Sequence, residues 1–316
     1  MLSVVADVGG TNIRFAVCDV ASEKLLTVKE YPCAEFMTLE QALLHYFSRL
    51  SEPVTHLCLA IACQVEGDLL SMTNFHWQFS KQALKKKLAL TSLYVINDFT
   101  AISLAIPYID SKDKIKIGRG EAVEGAVKAV FGAGTGLGVS HLIRQDNQWI
   151  SLEGEGGHTG FAPSNREQAD ILLLLQEKFG HVSTERLLSG QGLVNIYHAL
   201  SYFAGKPADC FEAAEITQLA LEKKEPIALN TLTLFCQIMG SFAGNLALNL
   251  DCRGGVYIAG GITPRFVSFL KQSEFRCYFE AKGRLGHYLQ MIPTYLITHD
   301  NPGLLGASVY LRQELS

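Results

Sequence analysis

The chain has 316 residues, 48% of them hydrophobic and 18% charged, with a formal net charge of −4. That length suits two domains or one large one, and a charged share below the usual figure of about 25% fits a compact globular protein with a large core. No basic stripe, signal-peptide core or uninterrupted membrane-length apolar stretch is present, so no nucleic-acid partner, no membrane and a cytoplasmic location are expected.

The chain opens on an apolar run ending in Asp7-Val-Gly9-Gly10-Thr11-Asn12, followed by a second apolar run. The pattern reads as strand, glycine turn with threonine, and strand. Glycine lets the main chain approach a ligand closely, and successive N–H groups in such a turn form an anion-binding concavity. Asp7 ends an apolar strand, where an ionised side chain is costly unless compensated. A hydrated Mg²⁺ on a nucleotide would compensate it.

Residues 38–50 have a helix N-cap and helical periodicity, 54–62 read as a buried strand, and Ser80 caps a helix over 80–88 that holds the only basic run, Lys85-Lys86-Lys87. Leu93 to Ile96 is a strand running into Asn97-Asp98, followed by an apolar helix. A polar pair at the end of a parallel strand is where α/β ligand sites lie, although Asp98 is also a candidate cap for that helix. Pro107 to Gly125 is polar and glycine-containing, a candidate inter-domain connection.

The opening pattern returns at Gly132-Ala-Gly134-Thr135-Gly136-Leu-Gly138. Two such turns suggest a duplicated fold with one phosphate-binding turn in each half. The dinucleotide fingerprint fails here, because with Gly132 or Gly134 counted as the first position the sixth is Leu137 or Val139. A Walker A loop fails as well, because the one Gly-Lys pair, Gly205-Lys206, is followed by Pro207.

Glu153-Gly-Glu155-Gly-Gly-His158 places carboxylate and imidazole groups on a glycine-rich loop, suited to a metal or to the hydroxyls of a polyol. Residues 165–200 read as mostly helical with Ser183 or Thr184 as a cap, and Glu185 is unremarkable in isolation. Asn230 to Leu250 is a long apolar helix with small residues for close packing. Val256 to Ala259 is a strand ending in Gly260-Gly261, which would admit an adenine or ribose edge or serve as an ordinary turn; the last helix spans about 303–314. The eight cysteines include no Cys-x-x-Cys pair and lie mostly in apolar context, as buried free thiols of a reducing compartment would. Two α/β domains with a hinge and a shared cleft are expected.

Taken together, Asp7 to Asn12, Ile96 to Ala101, Phe131 to Gly138, Gly154 to His158, Ile258 to Ile262 and His299 to Gly306 resemble the bacterial ATP-dependent glucokinases, in order and at matching spacing. The resemblance implies two ribonuclease-H-like α/β domains of the actin-like ATPase (hexokinase) fold with a cleft between them. It implies a small domain of residues 1–108 completed by 300–316 and a large one of 109–299, a homodimer, and transfer of the ATP γ-phosphate to the 6-hydroxyl of glucose.

Carried over by the same resemblance, Asp98 is the catalytic base and Asn97, Glu155, His158 and Glu185 bond the sugar hydroxyls. Asp7, Gly9, Gly10, Thr11 and Asn12, with Gly132, Gly134, Thr135 and Gly136, are the phosphate loops; Gly260 and Gly261 lie on the adenosine side. ATP and Mg²⁺ are the implied cofactors, the metal meeting Asp7 through water. The zinc-binding branch of sugar kinases fits poorly, since no cysteine lies between Cys63 and Cys210. Two alternatives stay open: a kinase for mannose, fructose, glucosamine or an N-acetylhexosamine, and a non-transferring actin-like or regulatory ATP-binding protein.

Overall fold

The first strands, β1 (Leu2–Val8) and β2 (Asn12–Asp19), run antiparallel around the Gly9-Gly10-Thr11 turn. They begin the first of two compact units into which the computed structural model divides, Met1–Asp110 with His299–Ser316, and Ser111–Thr298. The structure describes residues 2–19, 24–72, 75–209 and 212–316; Cys210 lies outside them.

In the first unit β3 (Lys24–Pro32) leads to α1 (Leu39–Phe47), which starts where the Thr38 side chain accepts from the Gln41 N–H. After β4 (Val54–Ile61), a small hairpin of β5 (Leu69–Ser71) and β6 (Gln78–Ser80) precedes α2 (Lys81–Lys87). Ser80 caps α2, and the three lysines form its exposed last turn, as expected. Then come β7 (Ser92–Asn97), α3 (Asp98–Ala105) and, from the end of the chain, α11 (Pro302–Leu315).

The main sheet has the order β3-β2-β1-β4-β7, antiparallel at the first two pairings and parallel at the last two. Period-two alternation sorts its side chains. Val4, Ala6, Val8, Ile13 and Phe15 join the core under α1, while Val5, Ala16, Cys58, Ala60 and Ile96 meet α3 and α11 on the other face. A Cβ at Gly306 of α11 would stand 1.6 Å from the Ala101 carbonyl oxygen of α3, so the two helices touch backbone to backbone.

The second unit repeats this plan. Its strands are β8 (Lys114–Ile117), β9 (Lys128–Ala133), β10 (Leu137–Gln145), β11 (Gln148–Gly154), β12 (Val256–Ala259) and β13 (Thr294–Ile297). The order β11-β10-β9-β12-β13 has the same two antiparallel and two parallel pairings, and β8 is added antiparallel to β13. The expected connection over 107–125 therefore contains a sheet strand. Its helices are α4 (Arg166–Phe179), α5 (Gly190–Phe203), α6 (Ala213–Gln218), α7 (Pro226–Asn249), α8 (Val267–Gln272), α9 (Phe275–Glu280) and α10 (Gly286–Gln290).

The cap for the helix after residue 183 is Ser189, whose hydroxyl accepts from the Gly192 N–H at 3.0 Å. Ser183 makes no capping bond; its backbone bridges to Gly160, and the residues after it form a single 3₁₀ turn over Thr184–Arg186. α7 is long and apolar enough to cross a membrane, but 78% of its most apolar window is buried inside the protein, so core packing accounts for its composition. Its Gly240 admits the Phe275 carbonyl of α9, which would lie 2.1 Å from a Cβ.

Candidate active site

In the first unit Asp7 pairs with Arg14 across β1 and β2, and Arg14 with Glu30 across β2 and β3. The three side chains thus form a ladder on one sheet face. Arg14 Nη1 lies 3.7 Å from the Asp7 carboxylate, while its Nε donates to Glu30 at 3.0 Å. Asn12 Nδ2 also donates to Glu30, at 2.6 Å. Burial pushes the Asp7 carboxyl above its ordinary range; the Arg14 charge opposes that shift and Glu30 adds to it.

The first turn of α11 lies against Asp7, since a Cβ at Gly303 would be 2.7 Å from Cγ of the carboxylate. The positive end of that helix thus faces the acid. The turn itself is closed by Gly9 N–H on the Asn12 carbonyl at 3.0 Å and Cys33 N–H on the Thr11 carbonyl at 2.8 Å, leaving Thr11 exposed and Gly10 half-buried.

Asn97 and Asp98 stand where β7 gives way to α3. Asn97 is the N-cap, its Oδ1 accepting from Phe99 N–H at 2.8 Å while its Nδ2 donates to the Cys63 carbonyl at 3.4 Å. Capping therefore belongs to Asn97. Asp98 occupies the first helical position and accepts a longer bond of 3.1 Å from Phe99 N–H. Burial, and then the charge of Asp7, push the Asp98 carboxyl up to about 6.

In the second unit the glycine turn joins β9 to β10 and is closed by Gly134 N–H on the Gly136 carbonyl at 2.8 Å. Leu137 N–H donates to Glu185 Oε2 at 2.9 Å, and Gly190 N–H, at the start of α5, donates to the Gly134 carbonyl at 2.9 Å. Glu185, unremarkable in sequence, is thus fixed against the turn. Gly132 and Gly260 belong to the same seam. A Cβ on Gly132 would meet the Ala259 carbonyl carbon at 2.7 Å, and one on Gly260, with φ of +86°, the Ala133 carbonyl oxygen at 2.4 Å.

The carboxylate–imidazole loop forms a 3₁₀ turn over Gly156–His158, with Glu155 and His158 exposed. It is tied to the turn carrying Glu185, because Thr184 N–H and Oγ1 both donate to the Thr159 carbonyl, at 2.9 and 3.2 Å. The structure therefore brings Glu155, His158 and Glu185 onto adjoining turns of one unit.

A Cβ on Gly134 or on Gly261 would meet no protein atom within 4 Å, and neither residue is among those with positive φ. Neither fold sterics nor backbone conformation asks for glycine there. The main chain there has open space beside it, and with exposed Thr135 next to Gly134 that space has room for a nucleotide.

Sequence reading missed Arg14 and Glu30. The signal was a charged residue within a strand whose neighbours Ile13 and Phe15 are buried; its partner becomes visible only through strand register.

Over residues 4–314 the chain matches the family described as Glucokinase. It is 51% identical along its whole length to a glucokinase of Photorhabdus laumondii subsp. laumondii, covering 98% of that protein. Among solved structures, a glucokinase from an Antarctic psychrotroph has a TM-score of 0.89 at 36% identity, with 99% of each chain covered. Glucokinase from Balamuthia mandrillaris in complex with glucose has a TM-score of 0.81 at 22% identity, with 99% of this chain and 93% of that one covered, a likeness of fold. The repeated ribonuclease-H-like sheet is the actin-like ATPase (hexokinase) fold.

Proposed function

The chain belongs to the glucokinase family, and from that premise we propose that it transfers the γ-phosphate of Mg-ATP to the 6-hydroxyl of glucose, giving glucose 6-phosphate and ADP. The observation that carries the reading is Asp98, a carboxylate raised to about 6 at the end of a parallel strand. A general base works best with a pKa near the operating pH. Asp98 accepts the proton of the attacking hydroxyl, while Asn97, Glu155, His158 and Glu185 hydrogen-bond the other sugar hydroxyls. Capping fixes Asn97, and Leu137 N–H fixes Glu185.

Phosphoryl transfer asks for positioning and charge neutralisation rather than covalent help. Backbone N–H groups of the Gly9–Asn12 and Gly132–Gly136 turns, other than those of Gly9 and Gly134 that close the turns, hold phosphate oxygens, and Gly260-Gly261 lies along the adenosine. Asp7 would hold the hydration shell of a bound Mg²⁺, which would supply neutralisation of phosphate charge. The protein works as a cytoplasmic homodimer; the seven described cysteines are all free and six are buried, which supports a reducing compartment.

A coupled ADP-release assay with Mg-ATP over a panel of hexoses, with a no-sugar control, tests this. Turnover with glucose is expected. Turnover with mannose, fructose or an amino sugar instead would move the substrate, and no sugar-dependent ADP release would overturn kinase activity.

A further inference from the structure

A pocket of about 270 Å³ opens in the second unit behind the turn that carries Glu155 and His158. That is just under the ~300 Å³ at which pockets for drug-sized ligands begin, so it suits a single small ring. Phe161 and Phe242 supply apolar faces. Asn245 and Asn249, one turn apart on α7, line it and are exposed although residues 242–244 and 246–247 of the same helix are buried.

His141 of β10 lines it too. The Leu246 backbone bonds the imidazole, burial lowers its pKa, and Nε2 is closed to solvent with no hydrogen-bond partner among the described residues. Two carboxamides and two aromatic faces match the hydroxyls and C–H faces of a small polyol. No lysine or arginine lines the pocket, and Glu153 does, so a phosphate group would enter uncompensated. Lys282 reaches Ser241 of the wall but is bonded to its carbonyl at 2.9 Å and its hydroxyl at 3.1 Å.

We propose that this pocket is a second sugar site, taking a neutral, unphosphorylated hexose and bracing the turns that carry Glu155, His158 and Glu185. Two of its wall residues, Thr159 and Thr184, are the pair whose hydrogen bonds join those turns. An occupant that orders the seam favours sugar binding at the turns, so turnover against glucose departs from a hyperbola. The coupling rests on the sugar-binding reading of those turns.

The experiment counts glucose sites per chain by calorimetric titration of the full chain without ATP, in wild type, Asn245→Phe and Asn249→Leu. Two sites are expected in wild type. In each variant the pocket's affinity falls by at least about tenfold, the loss of one or two hydrogen bonds, and glucose saturation becomes hyperbolic. Glucose 6-phosphate is expected to leave the pocket's occupancy unchanged. One site in wild type, or two persisting in both variants, overturns the inference and leaves the glucose reading intact. No site at all removes that reading and this inference with it.

Discussion

Leu137 donates its backbone N–H to Glu185 Oε2 at 2.9 Å, directly after a glycine whose Cβ would lie 2.6 Å from the same oxygen. One carboxylate thereby pins the end of the glycine turn and is itself held in place by it. In Glu185→Ala, KM should rise for both glucose and ATP, each by about 10- to 100-fold, because the Leu137 N–H loses its partner. Glu185→Gln keeps an oxygen acceptor, so its ATP KM should stay near wild type while glucose binding weakens. Equal damage to the ATP KM in both variants would show that charge, not the hydrogen bond, holds the turn.

Asp98→Asn separates activity from stability. Turnover should fall by about 10²–10⁴, the range of a general base, with glucose binding retained by direct titration. Stability should move the other way. The folded pKa of about 6 lies above the ordinary 3.8, so the ionised carboxylate costs stability as pH rises through that window, by about 3 kcal/mol at most. Urea unfolding should find Asp98→Asn more stable than wild type at pH 8, with the difference vanishing toward pH 4. A variant less stable at both pH values would refute the sign.

With Asp98 as the proposed base, the same carboxylate should set the acid limb of the rate. Below about 6 the base is protonated and kcat/KM should drop tenfold per pH unit. The charge of Asp7 contributes to the rise, so the residual activity of Asp7→Asn should titrate at lower pH than wild type. An unmoved limb would assign the shift to burial alone.

What sequence made legible was local. Thr38 and Ser80 cap helices where their type and position say they should, because an N-cap bond reaches only three residues ahead. The two strand–glycine–strand turns are local too, and their recurrence foretold the repeated sheet. Ser183 was misread because its pairing with Gly160 comes from a distant segment. Arg14 and Glu30 stayed hidden for the same reason, since register across three strands aligns Asp7, Arg14 and Glu30. The pocket behind the Glu155 turn depends on where α7 packs, which apolar periodicity alone does not fix.

Gly306 tests the contact between α3 and α11. A methyl group placed 1.6 Å from the Ala101 carbonyl oxygen cannot be absorbed by a side-chain rotation, so the two helices must separate. Gly306→Ala should lose at least about 3 kcal/mol in urea unfolding, at the top of the usual overpacking range. A loss below 1 kcal/mol, on the same scale, would mean that α11 shifts freely.

Gly134 and Gly261 predict the opposite pattern. A Cβ at either position meets no protein atom within 4 Å, so Gly134→Ala and Gly261→Ala should fold with near-native stability. If the space belongs to the nucleotide, each methyl group meets ATP instead, and the ATP KM should rise by about tenfold or more, the cost of one overpacked contact. The glucose KM should change little, since the residues assigned to the sugar are untouched. Unchanged ATP kinetics in both variants would place the nucleotide elsewhere, whereas a stability loss matching that of Gly306→Ala would return these glycines to a structural role.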